Sequence, residues 1–178
     1  MRATGIVRRI DELGRVVIPK ELRRSLRMSE NSPLEIFTEA NGEVILKKYS
    51  PIGEMAKLAE KYVEVLSQSL GHIACITDTD SIIAVSGATD KVLLHKQISP
   101  DVEKAMKAKK VALLTEPTEL TAEENHTCSS VVIAPIIAQG DIVGTVIIAT
   151  KELGKQMGQL EQKMAETAAG FLAKQFET

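Results

Sequence analysis

The sequence predicts an α+β protein made of two unlike parts. Helical apolar spacing over residues 54–70 and 156–176 brackets a series of short β-branched segments, with no regular strand–helix–strand alternation. All seven arginines, Arg2, Arg8, Arg9, Arg15, Arg23, Arg24 and Arg27, fall within the first 27 of 178 residues. The first fifty residues carry too few large apolar side chains to build a core of their own.

Residues 1–50 are expected to form short strands around one short helix. Residues 4–10 read as a strand, Asp11-Glu12-Leu13-Gly14 as a turn, and 15–18 as a second, β-branched strand. Pro19 opens a helical turn, where its missing N–H is harmless, and Glu21 suits the positive helix start. Leu22 and Leu26, at i and i+4, give this helix one apolar face, while Arg23, Arg24 and Arg27 project elsewhere. A hairpin of 34–39 and 43–48 follows, with Asn41-Gly42 signalling a type I′ turn. Such a head needs a second copy of itself to complete its core.

Residues 51–55 are expected to be a linker, and 56–178 a second domain. Gly71 should cap the helix of 54–70. Strands are expected at 72–77, 82–85 and 111–114, and short helices at 92–94 and 102–108. The polar, acidic stretch 116–130 reads as a surface loop. Strong strands at 131–138 and 142–150 meet at Gln139-Gly140-Asp141. The last helix, 156–176, should turn Met157, Leu160, Met164, Ala168, Phe171 and Leu172 to one side.

Charge sharpens the division. The total is −2, but the first 27 residues carry eight cations against Asp11, Glu12 and Glu21, a balance of +5. The remaining 151 residues hold no arginine and stand at −7. A basic head on an acidic body points to a nucleic-acid partner for the head alone. Arginine pairs bidentately with guanine edges and with phosphate oxygens, and three acids are too few to neutralise seven. Aromatics at 3%, with no Trp, argue against a stacking platform for single strands. No apolar run reaches the ~20 residues that span a bilayer, and two cysteines build no disulfide framework. A cytoplasmic protein without membrane partners is the expectation.

The run from Thr4 to Arg24, centred on Asp11-Glu12-Leu13-Gly14-Arg15-Val16-Val17-Ile18-Pro19, resembles the DNA-binding domain of the AbrB transition-state regulators. The likeness extends through Leu34-Glu35-Ile36 and Val44-Ile45-Leu46-Lys47-Lys48-Tyr49. It implies a swapped-hairpin β-barrel dimer that binds double-stranded DNA. On that resemblance Arg8, Arg15, Arg23 and Arg24 are DNA contacts, with Arg9 and Lys20 as adjacent basic candidates. Arg27 stands where that family commonly has a glycine.

The run Ala134-Pro135-Ile136-Ile137-Ala138-Gln139-Gly140-Asp141-Ile142-Val143-Gly144-Thr145 is similar to the GAF pattern. It implies an antiparallel sheet flanked by helices, oligomerisation through the terminal helices and a small-molecule effector of unknown identity. The residues typical of cyclic-nucleotide binding are missing. The order of an AbrB-like head on a GAF-like body resembles transcriptional regulators of sporulation. It implies an activator of some late, forespore-specific genes and a repressor of others, assembled as a tetramer.

A competing constellation joins His72 and Cys75 to His126 and Cys128, two nitrogen and two sulfur ligands of the kind zinc takes. The alternative function is therefore a metal- or thiol-dependent redox sensor, or a GAF-type enzyme working through Cys128. Cys75 lies in an apolar strand, where a free cysteine is usually a small buried residue, and the His126–Cys128 spacing is short for a ligand pair. No catalytic residues, metal or cofactor are expected. Glu123-Glu124 reads as a solvated pair.

Overall fold

Two units form along the chain, Met1–Tyr49 and Ser50–Thr178, in a computed structural model that describes residues 4–28, 30, 32–87, 91–123 and 126–176. Arg2 and Glu124 lie outside the described residues.

In the first unit, residues 4–18 join no strand ladder, unlike the two strands expected there. Their turn forms: Gly14 N–H donates to Asp11 O at 2.9 Å and Asp11 N–H to Arg15 O at 3.0 Å. On either side the backbone groups have no neighbouring strand within one chain, so there is nothing to pair with. Helix α1, Lys20–Ser25, starts behind Pro19 with Glu21 in its first turn. Strands β1, Leu34–Thr38, and β2, Val44–Lys48, pair antiparallel from Leu34↔Lys48 to Thr38↔Val44. Their connection differs from the expected type I′ turn. Only Gly42 has positive φ, at +86°, and the bonds Gly42 N–H to Glu39 O and Glu39 N–H to Glu43 O enclose a three-residue loop. This is a turn closed by a glycine bulge, in which Asn41 keeps negative φ and its carbonyl oxygen accepts from Glu43 N–H.

The first unit buries almost nothing. Among its described residues only Pro19 is buried. Val7, Ile10 and Val17 are 84%, 70% and 71% exposed, and Val16, Ile36 and Val44 are exposed as well.

The second unit begins earlier than the helix expected after a linker. Residues 51–55 form a 3-10 turn, Pro51–Met55, capped by Ser50, with Ile52 wholly buried. This continues into α2, Ala56–Leu70, which ends at left-handed Gly71. Strands β3, Ile73–Thr77, and β4, Ile82–Ser86, are followed by a 3-10 turn, Lys91–Leu93. Helix α3, Pro100–Lys107, is capped by Ser99. Then come β5, Ala112–Leu114, the short pair β6, Thr118–Glu119, and β7, Thr127–Cys128, and the long strands β8, Ser130–Ala138, and β9, Asp141–Thr150. Helix α4, Gln159–Lys174, closes the unit. The main sheet runs β4-β3-β9-β8-β5 with every neighbour antiparallel.

Alternation along the strands sends Ala74, Ile76, Val132, Ala134, Val146 and Ile148 into one core with α2 and α4. Cys75, Val131, Ile133, Ile147 and Ala149 join a second core with Val102 and Met106 of α3. The stretch 116–130 is no mere surface loop, because Leu120 and Cys128 reach into this second core and are fully buried. On α4 the buried face is Ala165, Ala168, Ala169, Leu172 and Ala173, while Leu160 and Phe171 stay largely exposed. The alanines let the helix lie close to the sheet, which rotates the bulkier side chains outward. Phe171 stacks on Tyr62 of α2 with ring centroids 5.4 Å apart. Among the described residues no helix is long and apolar enough to cross a membrane.

Candidate nucleic-acid interface

The cations of the first unit sit on two elements. Arg8, Arg9 and Arg15 belong to the arm of residues 4–18, and Lys20, Arg23 and Arg24 to α1. Arg8, Arg9, Arg15, Lys20 and Arg24 are exposed, and Arg23 is half-buried. Spacings of three and four residues place Lys20, Arg23 and Arg24 on one side of α1. Within one chain the helix groups these three, and the arm carries the other three separately.

Arg15 is the most tightly organised of the set. Asp11 Oδ1 accepts from the Arg15 N–H at 2.8 Å and the Leu13 N–H at 3.0 Å, and Asp11 Oδ2 accepts from Arg15 Nε at 2.8 Å. These bonds, the Arg15 amide first and its side chain next, hold the Asp11 carboxyl below its ordinary value. Nε is engaged, yet the Arg15 side chain remains 70% exposed, so its outer nitrogens face solvent. The sequence places Asp11 in a turn and counts it as a neutralising acid, but does not reveal its hold on Arg15. The signal was present: an aspartate two residues before a backbone donor commonly closes such a turn through its side chain. Arg8 bends back, donating from Nη1 to Val7 O at 3.1 Å. Lys47 Nζ lies 4.8 Å from the centre of the Phe37 ring, a cation–π contact on the β1–β2 hairpin.

The histidine and cysteine constellation is not assembled. His72 lies against α4, its Nε2 3.8 Å from Glu161 Oε1, and Cys128 Sγ approaches His126 O at 3.8 Å. Both thiols are buried in the second core, and burial pushes Cys75 up to about 12 and Cys128 up to about 11. Among the described residues, no three His, Cys, Asp or Glu side chains converge on a common point. Elsewhere in the second unit, a groove of about 490 Å³ opens beside β8, between α4 and residues 109–111, with Pro135, Ile137 and Gly170 in its lining.

Residues 54–177 match the family described as stage V sporulation protein T C-terminal, transcription factor. Residues 7–54 match the antidote-toxin recognition MazE bacterial antitoxin family. The chain is 50% identical over 179 aligned residues to stage V sporulation protein T of Bacillus subtilis, covering 99% of each. Its first part is 59% identical over 51 residues to the transition state regulatory protein AbrB of that organism, covering 29% of this chain and 52% of that one. The GAF domain of a phosphoenolpyruvate-protein phosphotransferase from Coxiella burnetii superposes with a TM-score of 0.56 at 15% identity, over 67% of this chain and 80% of that one. A type II free methionine-R-sulfoxide reductase from Thermoplasma acidophilum gives 0.55 at 12% identity, over 70% and 96%. These structural likenesses establish the GAF-like fold of the second unit.

An AbrB-like basic head on a GAF-like body defines a DNA-binding transcriptional regulator. The chain belongs to the stage V sporulation protein T family of transcription factors.

Proposed function

We propose that two chains complete each head by exchanging residues 4–18, and that the completed head binds double-stranded DNA through Arg8, Arg15, Arg23 and Arg24. Arg9 and Lys20 add flanking charge. One observation supports this above the others: a head in which, among the described residues, Pro19 alone is buried displays a set of apolar side chains on an arm that joins no strand ladder. A second copy supplies both the missing strand partners and the missing core. It also doubles every cation, so that about eight or more contacts face one duplex and binding falls steeply with salt.

In this reading the protein is cytoplasmic, with head and body meeting at residues 51–55. It activates some late, forespore-specific sporulation genes and represses others; the name of its Bacillus subtilis relative, stage V sporulation protein T, supports the sporulation setting. The bodies join head-paired dimers into a tetramer, using the apolar area that Val65, Leu160 and Phe171 leave exposed on α2 and α4. The groove beside β8 is where a small-molecule effector would enter. Such an effector regulates only through different affinities for two arrangements of the heads.

The test is titration of duplex DNA with the full chain and with Arg8, Arg15, Arg23 and Arg24 each replaced by Ala. Strong weakening in each variant is expected; undiminished affinity in all four at moderate salt overturns the assignment. Sedimentation of the full chain reports the tetramer independently.

A further inference from the structure

Helix α1 ends in a defined hydrogen-bonded motif with an unusual occupant. Met28 N–H donates to Arg23 O at 2.7 Å and Arg27 N–H to Arg24 O at 3.2 Å. These are the two bonds that close a helix when the residue after the C-cap turns left-handed. That residue is Arg27, with φ at +50°. Glycine is the usual choice there, because a Cβ in this conformation crowds the adjoining carbonyl.

Among the described residues, no side-chain contact of Arg27 offsets that strain. The Arg27 side chain is exposed, and among the described residues its guanidinium has no hydrogen bond or ion pair. Its backbone, in contrast, is held: Lys48 Nζ donates to the Arg27 carbonyl at 3.2 Å, tying the end of α1 to the end of β2. The chain therefore fixes the base of this side chain and leaves its cationic end without an internal partner. Position 27 lies just past the C-cap, three residues after Arg24 in sequence, where the left-handed turn carries the chain off the helix. It extends the sequence spacing of Lys20, Arg23 and Arg24 to i, i+3, i+4 and i+7.

Resting on the DNA-binding reading above, we propose that Arg27 is a contact to the DNA phosphate backbone and reads no base. A cation whose backbone is fixed at the end of α1, beside Arg23 and Arg24 in sequence and exposed to solvent, suits a phosphate contact, whereas base readout needs side chains aimed into a groove. The strain at position 27 is then a structural cost accepted for an added external anion contact.

The experiment measures full-chain binding across a salt series. Two duplexes serve as probes: one selected by the wild-type protein from a random-sequence pool, and one scrambled with the same composition. Arg27→Gln should lower the slope of log affinity against log salt by about 0.9 per chain, weakening both duplexes by the same factor. Arg27→Lys should retain most of the slope. Arg27→Gly should show the Gln variant's DNA defect while raising the midpoint of thermal unfolding of the head. A wild-type slope in Arg27→Gln, a loss confined to the selected duplex, or a less stable Arg27→Gly protein each overturns the proposal. Failure of the wild-type protein to bind either duplex would instead overturn the DNA-binding reading itself.

Discussion

The Asp11 carboxylate grips Arg15 by its backbone and its side chain together, each at 2.8 Å. Paired in this way, Arg15 enters any complex with its torsions already restricted, so less conformational entropy is lost on binding. Asp11→Ala should therefore reduce discrimination between the selected and scrambled duplexes, while non-specific affinity holds or rises as a competing anion is removed. Because these bonds hold the Asp11 carboxyl below 3.8, the grip is fully present above that value and is lost as pH falls through the depressed one. Carboxyl titration by NMR should show a midpoint below 3.8 for Asp11 in the intact protein.

A second carboxylate makes an acid-sensitive prediction for the body. Glu161 Oε2 accepts from Gly158 N–H at 2.7 Å at the start of α4. That bond, foremost, lowers the Glu161 carboxyl, with the neighbouring His72 and Lys155 adding smaller effects in the same direction against partial burial. The cap should stabilise at neutral pH and down to about the ordinary carboxyl value of 4.5, then fade as pH falls through the lowered one. Glu161→Gln, which keeps an accepting oxygen but loses the charge, should lower stability slightly at pH 7 and flatten its acid limb, measured by denaturant titration at several pH values.

At Gly144, β9 lies hard against the backbone at the end of β3. A Cβ built there would stand 2.0 Å from the Thr77 carbonyl oxygen, a backbone atom with little room to move. Gly144→Ala should destabilise the body by roughly 3 kcal/mol, seen in its chemical unfolding, with head titrations of DNA changed little at temperatures where the variant is folded.

The two thiols should be inert in the native state. With Cys75 pushed up to about 12 and Cys128 up to about 11 by burial, the reactive thiolate is scarce at neutral pH. Native protein should resist a thiol reagent that labels the denatured chain rapidly, and Cys128→Ser should retain DNA binding. Fast native labelling of Cys128 would revive the redox reading.

Different parts of this fold were legible to different degrees, for identifiable reasons. Strands β8 and β9 could be read almost to the residue, because both faces are buried and their apolar runs are broken only by a turn. Residues 4–10 and 15–18 carried a strand pattern as well, the second less cleanly alternating, yet one chain forms no ladder there, because periodicity does not locate a pairing partner. The Asn41-Gly42 signal marked the hairpin but not its loop length, which the bulge at Gly42 decides. On α4, large side chains suggested a face through Leu160 and Phe171, whereas close approach to the sheet selected the alanines. Six cationic positions of the candidate interface were read directly from charge and resemblance. The Asp11 grip and the Lys48 bond to Arg27 depend on turn geometry and on contact over 21 residues, which composition does not encode.

The near-absence of buried residues in the head has a kinetic consequence. If its core closes only between chains, gaining DNA affinity is a second-order event and obeys mass action. Newly made chains can then carry a finished body before they carry a finished head. Joining the bodies would raise the local concentration of unfinished heads, turning a slow encounter into a tethered one. Regulatory competence would then rise more steeply than protein abundance, giving the cell a threshold set by copy number alone.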